Sequence, residues 1–318
     1  PRGKAVVTRP VLHHYGISSF AEKVRLMLGL KQLGWSGVEI PSTLPKPDLM
    51  PLTGGYRKTP VMQIGADIYC DTRRIAEELE RRWPEPSIMA GGRGLANVMS
   101  AFAEGPSFWT LAVYVMGANA DAVPGSFHQD RARMRGAAGA DIERIKASVP
   151  RHLEQLRPRL AWMADLFRDG RPFVAGDRPG LADFTLYHPL WFIRINGTGV
   201  ARVLEPHPAL TAFMDRVAAI GHGEMREMNA EAALDAAREA TPEPAAGVMA
   251  NAEGWCEGDP VEVTPTDYGR EPVAGTLRGY GPEGITLVRE DDRVGEVAVH
   301  FPRVGFAIRR ARALRDAA

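Results

Sequence analysis

Two serines stand where a short strand gives way to a helix, and their hydroxyl groups could stabilise an anion. The sequence predicts a strand over Val11–Tyr15, a turn at Gly16, and a helix that starts at Ser18 or Ser19. Apolar side chains recur along that helix at helical spacing: Phe20, Val24, Met27 and Leu28. A helix start carries partial positive charge and free N–H groups, so it favours an anion such as a thiolate. Serine is also a common N-cap, so Ser18 is either a helix cap or an anion-stabilising residue.

A second strand-to-helix turn lies about forty residues further along the chain. Thr59–Ile64 is predicted as a strand with a proline at its start, where the missing N–H does no harm. Asp67–Cys70 forms the next strand, and Asp71 and Thr72 begin another helix. Two such turns in one small domain, each with small polar residues at a helix start, suit an anionic ligand.

The two stretches together resemble the amino-terminal, thioredoxin-like domain of the glutathione S-transferase superfamily. YGISSFAEKVR resembles the first strand and helix, where Ser, Cys or Tyr serves the glutathione sulfur. KTPV resembles the segment whose cis-proline lets the backbone pair with the cysteinyl part of glutathione. CDTRRIAEEL resembles the acidic and hydroxyl pair that holds the γ-glutamyl end. The resemblance is good over about residues 5–84 and continues less specifically to about residue 235, so it implies a serine-type, bacterial-like transferase.

The resemblance implies one catalytic residue and a set of glutathione contacts. Ser18 would donate a hydrogen bond to the sulfur and stabilise the thiolate without itself being ionised. The other implied contacts with glutathione are Ser19, Phe20, Lys58, Thr59, Pro60, Asp71 and Thr72. Tyr15, His13 and His14 are nearby alternatives to Ser18, although a histidine at a strand end is more often a packed residue.

Each glutathione contact has an implied task. Asp71 would hold the γ-glutamyl ammonium, and the Thr72 hydroxyl with the helix-start amides would hold its carboxylate, although both residues also suit an N-cap. Lys58 could face the glycine carboxylate, whereas Arg57 is expected to be exposed to solvent. The Thr59–Pro60 peptide bond is predicted to be cis.

The chemistry predicted for this site is addition to, or displacement on, a small electrophile. A cysteine at position 18 could form a mixed disulfide, but a serine cannot, so a glutaredoxin-like activity is disfavoured. No motif identifies the acceptor. Aromatic residues of the helical part could lie near it: Phe108, Trp109, Tyr114 and Phe127.

Composition sets the broader class of the protein. With 318 residues, two or three domains are expected. Lysine and arginine balance aspartate and glutamate at 39 each, so no nucleic-acid or membrane partner is predicted. Two distant cysteines indicate a reducing compartment rather than a disulfide scaffold. The absence of a long apolar run and of a secretory amino terminus predicts a cytoplasmic protein, and no metal cofactor is expected.

Three domains are predicted. A thioredoxin-like glutathione-binding domain covers residues 1–86, with a short extended piece at Ala5–Thr8, and an all-helical domain covers residues 92–240. The helical domain should contain a long helix over Leu95–Met116, broken near Gly105, and a single helix over Phe127–Ser148. A later helix resembles the buried, capped helix of the superfamily, with Gly180 at the usual Ser/Thr position and Asp183 as a folding residue.

Beyond a Pro-rich linker, the spacing of apolar residues changes from the helical repeat to alternation at every second position. Short β-like runs separated by turn signals predict a small all-β sheet or barrel over residues 247–318 that packs back on the rest of the protein. Nine arginines against twelve acidic residues make it a poor candidate for binding nucleic acid.

The sequence therefore predicts a glutathione transferase that forms a homodimer through its first domain and the first helices of its second. The alternative is a non-catalytic binding protein of the same fold, whose carboxy-terminal β module docks a partner or covers the site. Glutathione capture followed by a conjugation assay would separate the two.

Overall fold

The structure is a computed structural model that describes residues 9–311. The extended piece predicted at Ala5–Thr8 therefore lies outside the described residues. The first domain has the element order β1 (Val11–His14), α1 (Ser19–Leu30), β2 (Gly34–Glu39), α2 (Met50–Thr53), β3 (Val61–Ile64), β4 (Asp67–Cys70) and α3 (Thr72–Arg82).

The first domain has the predicted thioredoxin-like architecture. Strand β1 pairs in parallel with β2 and antiparallel with β3, and β3 pairs antiparallel with β4. The apolar stripe of α1 is buried together with β1 and β3 because Val24, Met27 and Leu28 lie on one helix face. This arrangement places the starts of α1 and α3 at the same side of the sheet as the Thr59–Pro60 turn.

The second domain is helical, as predicted, although a short strand, Glu224–Glu227, falls inside its predicted range of residues 92–240. Its helices are α4 (Gly92–Ala103), α5 (Pro106–Ala118), α6 (Gly125–Met134), α7 (Ile142–Ala147), α8 (Val149–Asp165), α9 (Leu181–Ile195), α10 (Thr198–Ala201) and α11 (Pro208–Ala218). The predicted break near Gly105 is confirmed, and Pro106 takes the first helical position of α5, where no N–H is needed. The single helix predicted over Phe127–Ser148 is wrong: Gly136, at φ +79°, stands between two shorter helices.

Asp183 is a folding residue, as predicted. Its fully buried carboxylate accepts hydrogen bonds from the backbone N–H groups of Val174 (2.7 Å) and Gly180 (2.9 Å). Burial raises the pKa of Asp183 to about 6, against the opposing effect of these hydrogen bonds. The glycine at the cap position also has a physical reason: a Cβ on Gly180 would lie 2.8 Å from the carbonyl oxygen of Ile88.

The carboxy-terminal region contains the predicted short strands. Its elements are β5 (Glu224–Glu227), α12 (Ala230–Arg238), β6 (Gly247–Val248), β7 (Pro260–Pro265), β8 (Val273–Tyr280), β9 (Gly284–Asp291), β10 (Gly295–Pro302) and β11 (Phe306–Arg310). Strand β5 was not expected: it has no alternating apolar pattern, its four residues are exposed, and it pairs with the edge of β2.

The carboxy-terminal strands continue the sheet of the first domain instead of forming a separate sheet. The order is β11-β7-β8-β9-β10-β4-β3-β1-β2-β5, with β6 beside β8. The junction is the parallel pair β10–β4, in which Val299 lies opposite Ile68. Side chains of both regions share one apolar core, so the β module is buried against the first domain.

A polar contact strengthens this junction. His300 Nε2 lies 2.8 Å from Asp67 Oδ1, and the imidazole stacks on the Tyr69 ring with 4.6 Å between centroids. The second carboxylate oxygen of Asp67 accepts a hydrogen bond from the N–H of Glu243 at 2.9 Å. Because buried polar groups destabilise a fold unless they are paired, these contacts specify one docking geometry for β10.

Among residues 9–311, no helix has the combined length and apolar character that crossing a bilayer requires.

Candidate functional site

The turn after β1 places Ser18 at the start of α1. The Ser18 side chain is buried, and its Oγ accepts a hydrogen bond from the N–H of Ala21 at 3.2 Å. The same side chain lines a cavity of about 490 Å³ between the first and second domains. Ser18 is therefore both an N-cap and a cavity residue, because a hydroxyl that accepts one hydrogen bond still has its proton to donate.

A buried ion pair holds the turn in place. Arg25 donates to the carbonyl oxygen of Gly16 (3.0 Å) and to Glu22 (2.7 Å), and Glu22 also contacts His222 (3.1 Å). Arg25 further approaches His14 Nδ1 at 3.2 Å. Burial and the nearby guanidinium lower the pKa of His14 to about 4.

Of the alternatives to Ser18, only Tyr15 lines the cavity within the described chain. His13 is buried and contacts Gln63 at 2.8 Å, and burial lowers the pKa of this histidine to about 4. His14 packs edge-to-face on Trp35. Both histidines are thus packed residues. The Tyr15 hydroxyl accepts a long hydrogen bond of 3.4 Å from Arg131.

The predicted cis peptide bond between Thr59 and Pro60 is confirmed. The Thr59 side chain accepts a hydrogen bond from the Lys46 ammonium at 2.8 Å. Lys46 also donates to the carbonyl oxygen of Arg57 at 2.9 Å and is buried. Burial and the positive charges of Arg131 and Arg57 lower the pKa of Lys46 to about 7.

Asp71 and Thr72 lie at the start of α3. Asp71 is the N-cap, with φ +75° and a carboxylate oxygen that accepts from the N–H of Arg73 at 2.9 Å. Thr72 Oγ1 lies 3.4 Å from the buried ammonium of Lys23, which forms an ion pair with Glu104 at 2.5 Å. Burial alone would raise the pKa of Glu104, but Lys23 and His188 lower it to about 2.

The eight predicted site residues line two adjoining cavities. Ser18 and Ser19 line the first cavity, whereas Pro60, Asp71 and Thr72 line a second one of about 460 Å³. Three of the predicted residues line both cavities: Phe20, Lys58 and Thr59. The sequence-based residues therefore lie along one continuous cleft that runs from the start of α1 to the start of α3.

Two basic residues have acidic partners that the sequence did not indicate. The Lys58 ammonium forms an ion pair with Asp267 at 2.5 Å and lies 4.2 Å from the Tyr268 ring centroid, so it already has an anionic partner. The prediction that Arg57 is exposed is wrong. Its side chain is buried and pairs with Asp130 and, at 3.3 Å, with Glu271.

Sequence reasoning missed several residues of the cleft, among them Lys46, Arg131 and Tyr268. Lys46 lies in a Pro-rich loop that carried no local signal. Arg131 and Tyr268 come from the helical domain and the β module, far along the chain. Only the tertiary contacts bring them to the cleft.

Aromatic side chains of the helical domain line the first cavity. Phe108, Trp109 and Phe127 line the cavity, as the sequence suggested for the acceptor side. Tyr114 does not: it is buried, and its hydroxyl donates to the carbonyl oxygen of Val200 at 3.0 Å. The first cavity thus has an aromatic lining from the helical domain together with two basic side chains, Lys46 and Arg131.

Comparisons with known proteins identify the family of the first and second domains. The family model described as glutathione S-transferase, N-terminal domain, matches residues 12–87, and the corresponding C-terminal domain model matches residues 146–216. A comparison with curated proteins gave no match.

Three solved structures show how far the similarity extends. A GST-like protein from Pseudomonas syringae is 35% identical, with a TM-score of 0.74 over 96% of this chain and 100% of that chain. A glutathione S-transferase from Rhodospirillum rubrum is 21% identical (TM-score 0.51, 65% of this chain and 87% of that chain). The Tau class glutathione S-transferase from mango is 18% identical (TM-score 0.51, 66% and 89%). Because the first similarity spans nearly the whole chain, it includes the carboxy-terminal strands.

Proposed function

The chain belongs to the glutathione S-transferase superfamily, and on that premise we propose that it binds glutathione and activates the thiol for attack on a small electrophile. The observation that carries this proposal is the convergence of Ser18, Thr59 and Asp71 along one cleft. In the proposed orientation of bound glutathione, its γ-glutamyl end lies at the start of α3 and its cysteinyl part lies along Thr59. The sulfur then lies at the start of α1.

Activation of the thiol follows from the start of α1. A thiol with an ordinary pKa of ~8.5 is mostly protonated at neutral pH, so the enzyme must favour the thiolate. The Ser18 hydroxyl would donate its free proton to the sulfur. Ser19 and Phe20 are the first residues of α1, and their N–H groups have no acceptor within the helix. Together these groups would stabilise the negative sulfur, which is the nucleophile.

The remaining groups would hold the two ends of glutathione. Asp71 would bind the γ-glutamyl ammonium, and the Thr72 hydroxyl with the first amides of α3 would bind the neighbouring carboxylate. The peptide backbone beside Pro60 would pair with the cysteinyl unit. Lys58 and Lys46 are the cations available to the glycine carboxylate, and Lys58 would exchange Asp267 for it.

The thiolate would then form a carbon–sulfur bond with the acceptor. In a displacement the leaving group departs with the electron pair of its bond, and in an addition the electron pair moves onto the acceptor, which is then protonated. The acceptor would lie against Phe108, Trp109 and Phe127. We include a cytoplasmic location in the proposal because Cys70 and Cys256 are unpaired, which suits a reducing compartment.

The decisive experiment is capture of the purified protein on immobilised glutathione, followed by a conjugation assay with a generic electrophile such as chlorodinitrobenzene. Specific elution by free glutathione together with turnover is expected. Capture without turnover would favour a non-catalytic binding protein, and failure of both would refute the proposal.

Two substitutions of Asp71, by asparagine and by alanine, distinguish the effect of its charge from its role as an N-cap. Asp71→Asn keeps an oxygen that can accept from Arg73 N–H and tolerates positive φ, so folding should be nearly unchanged. Loss of the charge-assisted contact should nevertheless weaken glutathione binding by ~1.5–3 kcal/mol. Asp71→Ala should weaken binding similarly and also lower the unfolding free energy by ~1 kcal/mol. Titration calorimetry and urea unfolding measure the two effects, and unchanged affinity in both variants would exclude Asp71 from the site.

Lys46 should take up a proton when glutathione binds. Its pKa is about 7 in the free protein, so at pH 8 most molecules carry a neutral amine. A carboxylate placed beside the amine raises its pKa and draws in a proton. S-methylglutathione is the suitable ligand because it has no thiol proton to release. Calorimetry of S-methylglutathione binding in buffers of different ionisation enthalpy should show net proton uptake, and this uptake should disappear in Lys46→Met. Equal proton uptake by the variant would show that Lys46 is not the group that takes up the proton.

We also propose a homodimer. Val98 on α4 and Trp162 on α8 are 67% and 60% exposed, so both could contribute apolar area to the interface. In the first domain, β10 already covers the edge of β4, so this edge is not available for a dimer contact. We therefore propose that α3 is the part of the first domain that lies in the interface. Light scattering at micromolar concentration should give twice the chain mass, and Trp162→Glu should shift it to the monomer. A monomer mass for the unmodified protein would refute the proposal.

A further inference from the structure

The loop between β7 and β8, residues 266–272, reaches from the β module into the cleft. Two of its residues, Asp267 and Tyr268, stand between the first and second domains beside Lys58 and Trp109. No motif in the loop indicates a function, and Lys58 and Trp109 lie more than a hundred positions earlier in the sequence.

Contacts with both domains hold this loop. Asp267 pairs with Lys58 at 2.5 Å, and Glu271 pairs with Arg57 at 3.3 Å. On the helical side, the N–H of Gly269 donates to the carbonyl oxygen of Met134 at 2.8 Å.

The position of Gly269 shows that the loop fits closely. Gly269 has φ +59°, and a Cβ there would lie 3.2 Å from the Met134 methyl group and 3.4 Å from Cε of Lys58. Glycine suits this left-handed backbone, and any side chain here would also contact Met134 and Lys58. The loop therefore has one defined path across the cleft.

Tyr268 forms a wall between the two cavities. Its half-buried ring lies 4.2 Å from the Lys58 ammonium and packs edge-to-face on Trp109, with 4.9 Å between centroids and an interplanar angle of 85°. It lines both the cavity that contains Ser18 and the cavity that contains Asp71. Burial raises the pKa of the phenol, which keeps it uncharged.

We propose that Tyr268 is a specificity-determining residue of the site, contributed by the β module, which contacts bound glutathione and limits the width of the electrophile. This inference rests on the proposed function. A ligand that reaches from Ser18 to Asp71 must pass beneath Tyr268 along Thr59. An acceptor beside the sulfur meets the Tyr268 and Trp109 rings, so a flat, single-ring electrophile fits and a wider one does not.

Removing the ring widens the passage between the two adjoining cavities, and we therefore expect the selectivity to change. In the full-length protein, Tyr268→Ala should raise the ratio of kcat/KM for a chlorodinitronaphthalene to that for chlorodinitrobenzene by about tenfold. It should also weaken glutathione binding several-fold, because an aromatic contact is lost. Tyr268→Phe keeps the wall and should retain the wild-type ratio.

The selectivity ratio distinguishes a wall from a merely structural residue, since a loosened fold lowers both rates together. Arg270→Ala is the matched control: Arg270 is exposed, belongs to the same loop and lines neither cavity. If Tyr268→Ala does not fold, Tyr268→Leu serves instead, with a smaller change in the same direction.

The outcomes separate this inference from the proposed function. A wild-type protein that neither binds nor conjugates glutathione refutes both. An active wild-type protein whose selectivity ratio and glutathione affinity are unchanged by Tyr268→Ala or Tyr268→Leu refutes only the role of Tyr268. An altered ratio in the Tyr268 variants, with a wild-type ratio in Arg270→Ala and Tyr268→Phe, supports it.

Discussion

Replacing Ser18 with alanine is expected to lower kcat for glutathione conjugation by about 10- to 100-fold, because a hydrogen bond to a charged group contributes ~1.5–3 kcal/mol. The affinity for S-methylglutathione should change little, since that ligand has no ionisable thiol. The pKa of the bound glutathione thiol, followed by thiolate absorbance against pH, should rise towards its free value. Ser18→Thr, which keeps a hydroxyl, should retain part of the activity.

The effect on rate must be separated from the loss of a helix cap. Ser18 Oγ accepts from Ala21 N–H, so Ser18→Ala should also lower the unfolding free energy by ~1 kcal/mol. Asn229→Ala is a matched control, because Asn229 caps α12 by accepting a 2.8 Å hydrogen bond from the N–H of Ala232 and lies outside both cavities. It should lose similar stability and keep full activity. If Ser18→Ala keeps its rate and thiol pKa, Ser18 is only a cap.

Ending the chain at Ala246 is expected to unfold or aggregate the protein. The truncation removes β10 from the edge of β4 and uncovers apolar side chains of the first domain, including Ile68 and Tyr56. Each such side chain contributes ~1.5–3 kcal/mol when buried, so uncovering several removes an amount comparable to the whole stability of a domain, ~5–15 kcal/mol. The bare edge of β4 would also offer unpaired N–H and C=O groups to other chains.

Thermal unfolding and size-exclusion chromatography of the truncated and full-length proteins measure this effect. A milder variant, Val299→Asp, places a charge in the β10–β4 junction while keeping every residue of the β module. It should lower the melting temperature without shortening the chain. The prediction fails if the truncated protein is equally soluble, melts at the same temperature and has the same turnover, since the β module would then be an independent appendage.

Local sequence determined the elements of the first domain and the position of its predicted site residues. A serine after a strand and turn marks the start of α1, and Asp71 with Thr72 marks the start of α3. These features depend on capping and side-chain periodicity within a few residues. The same reasoning predicted the break near Gly105 and the role of Asp183 as a folding residue. It missed the division of the Phe127–Ser148 segment, where residues 135–141, with Gly136 in the left-handed conformation, separate two helices.

The tertiary structure alone decided how the β module meets the cleft. Nothing in the sequence near Lys58 indicates that its partner is Asp267, 209 residues away. The sequence around Arg57 likewise does not indicate that this side chain is buried and paired with two acidic residues. Likewise, alternation predicted the carboxy-terminal strands but not that β10 pairs with β4. Alternation sets which face of a strand is apolar, whereas the choice of neighbour depends on edges and long-range packing that become defined only when the whole chain folds.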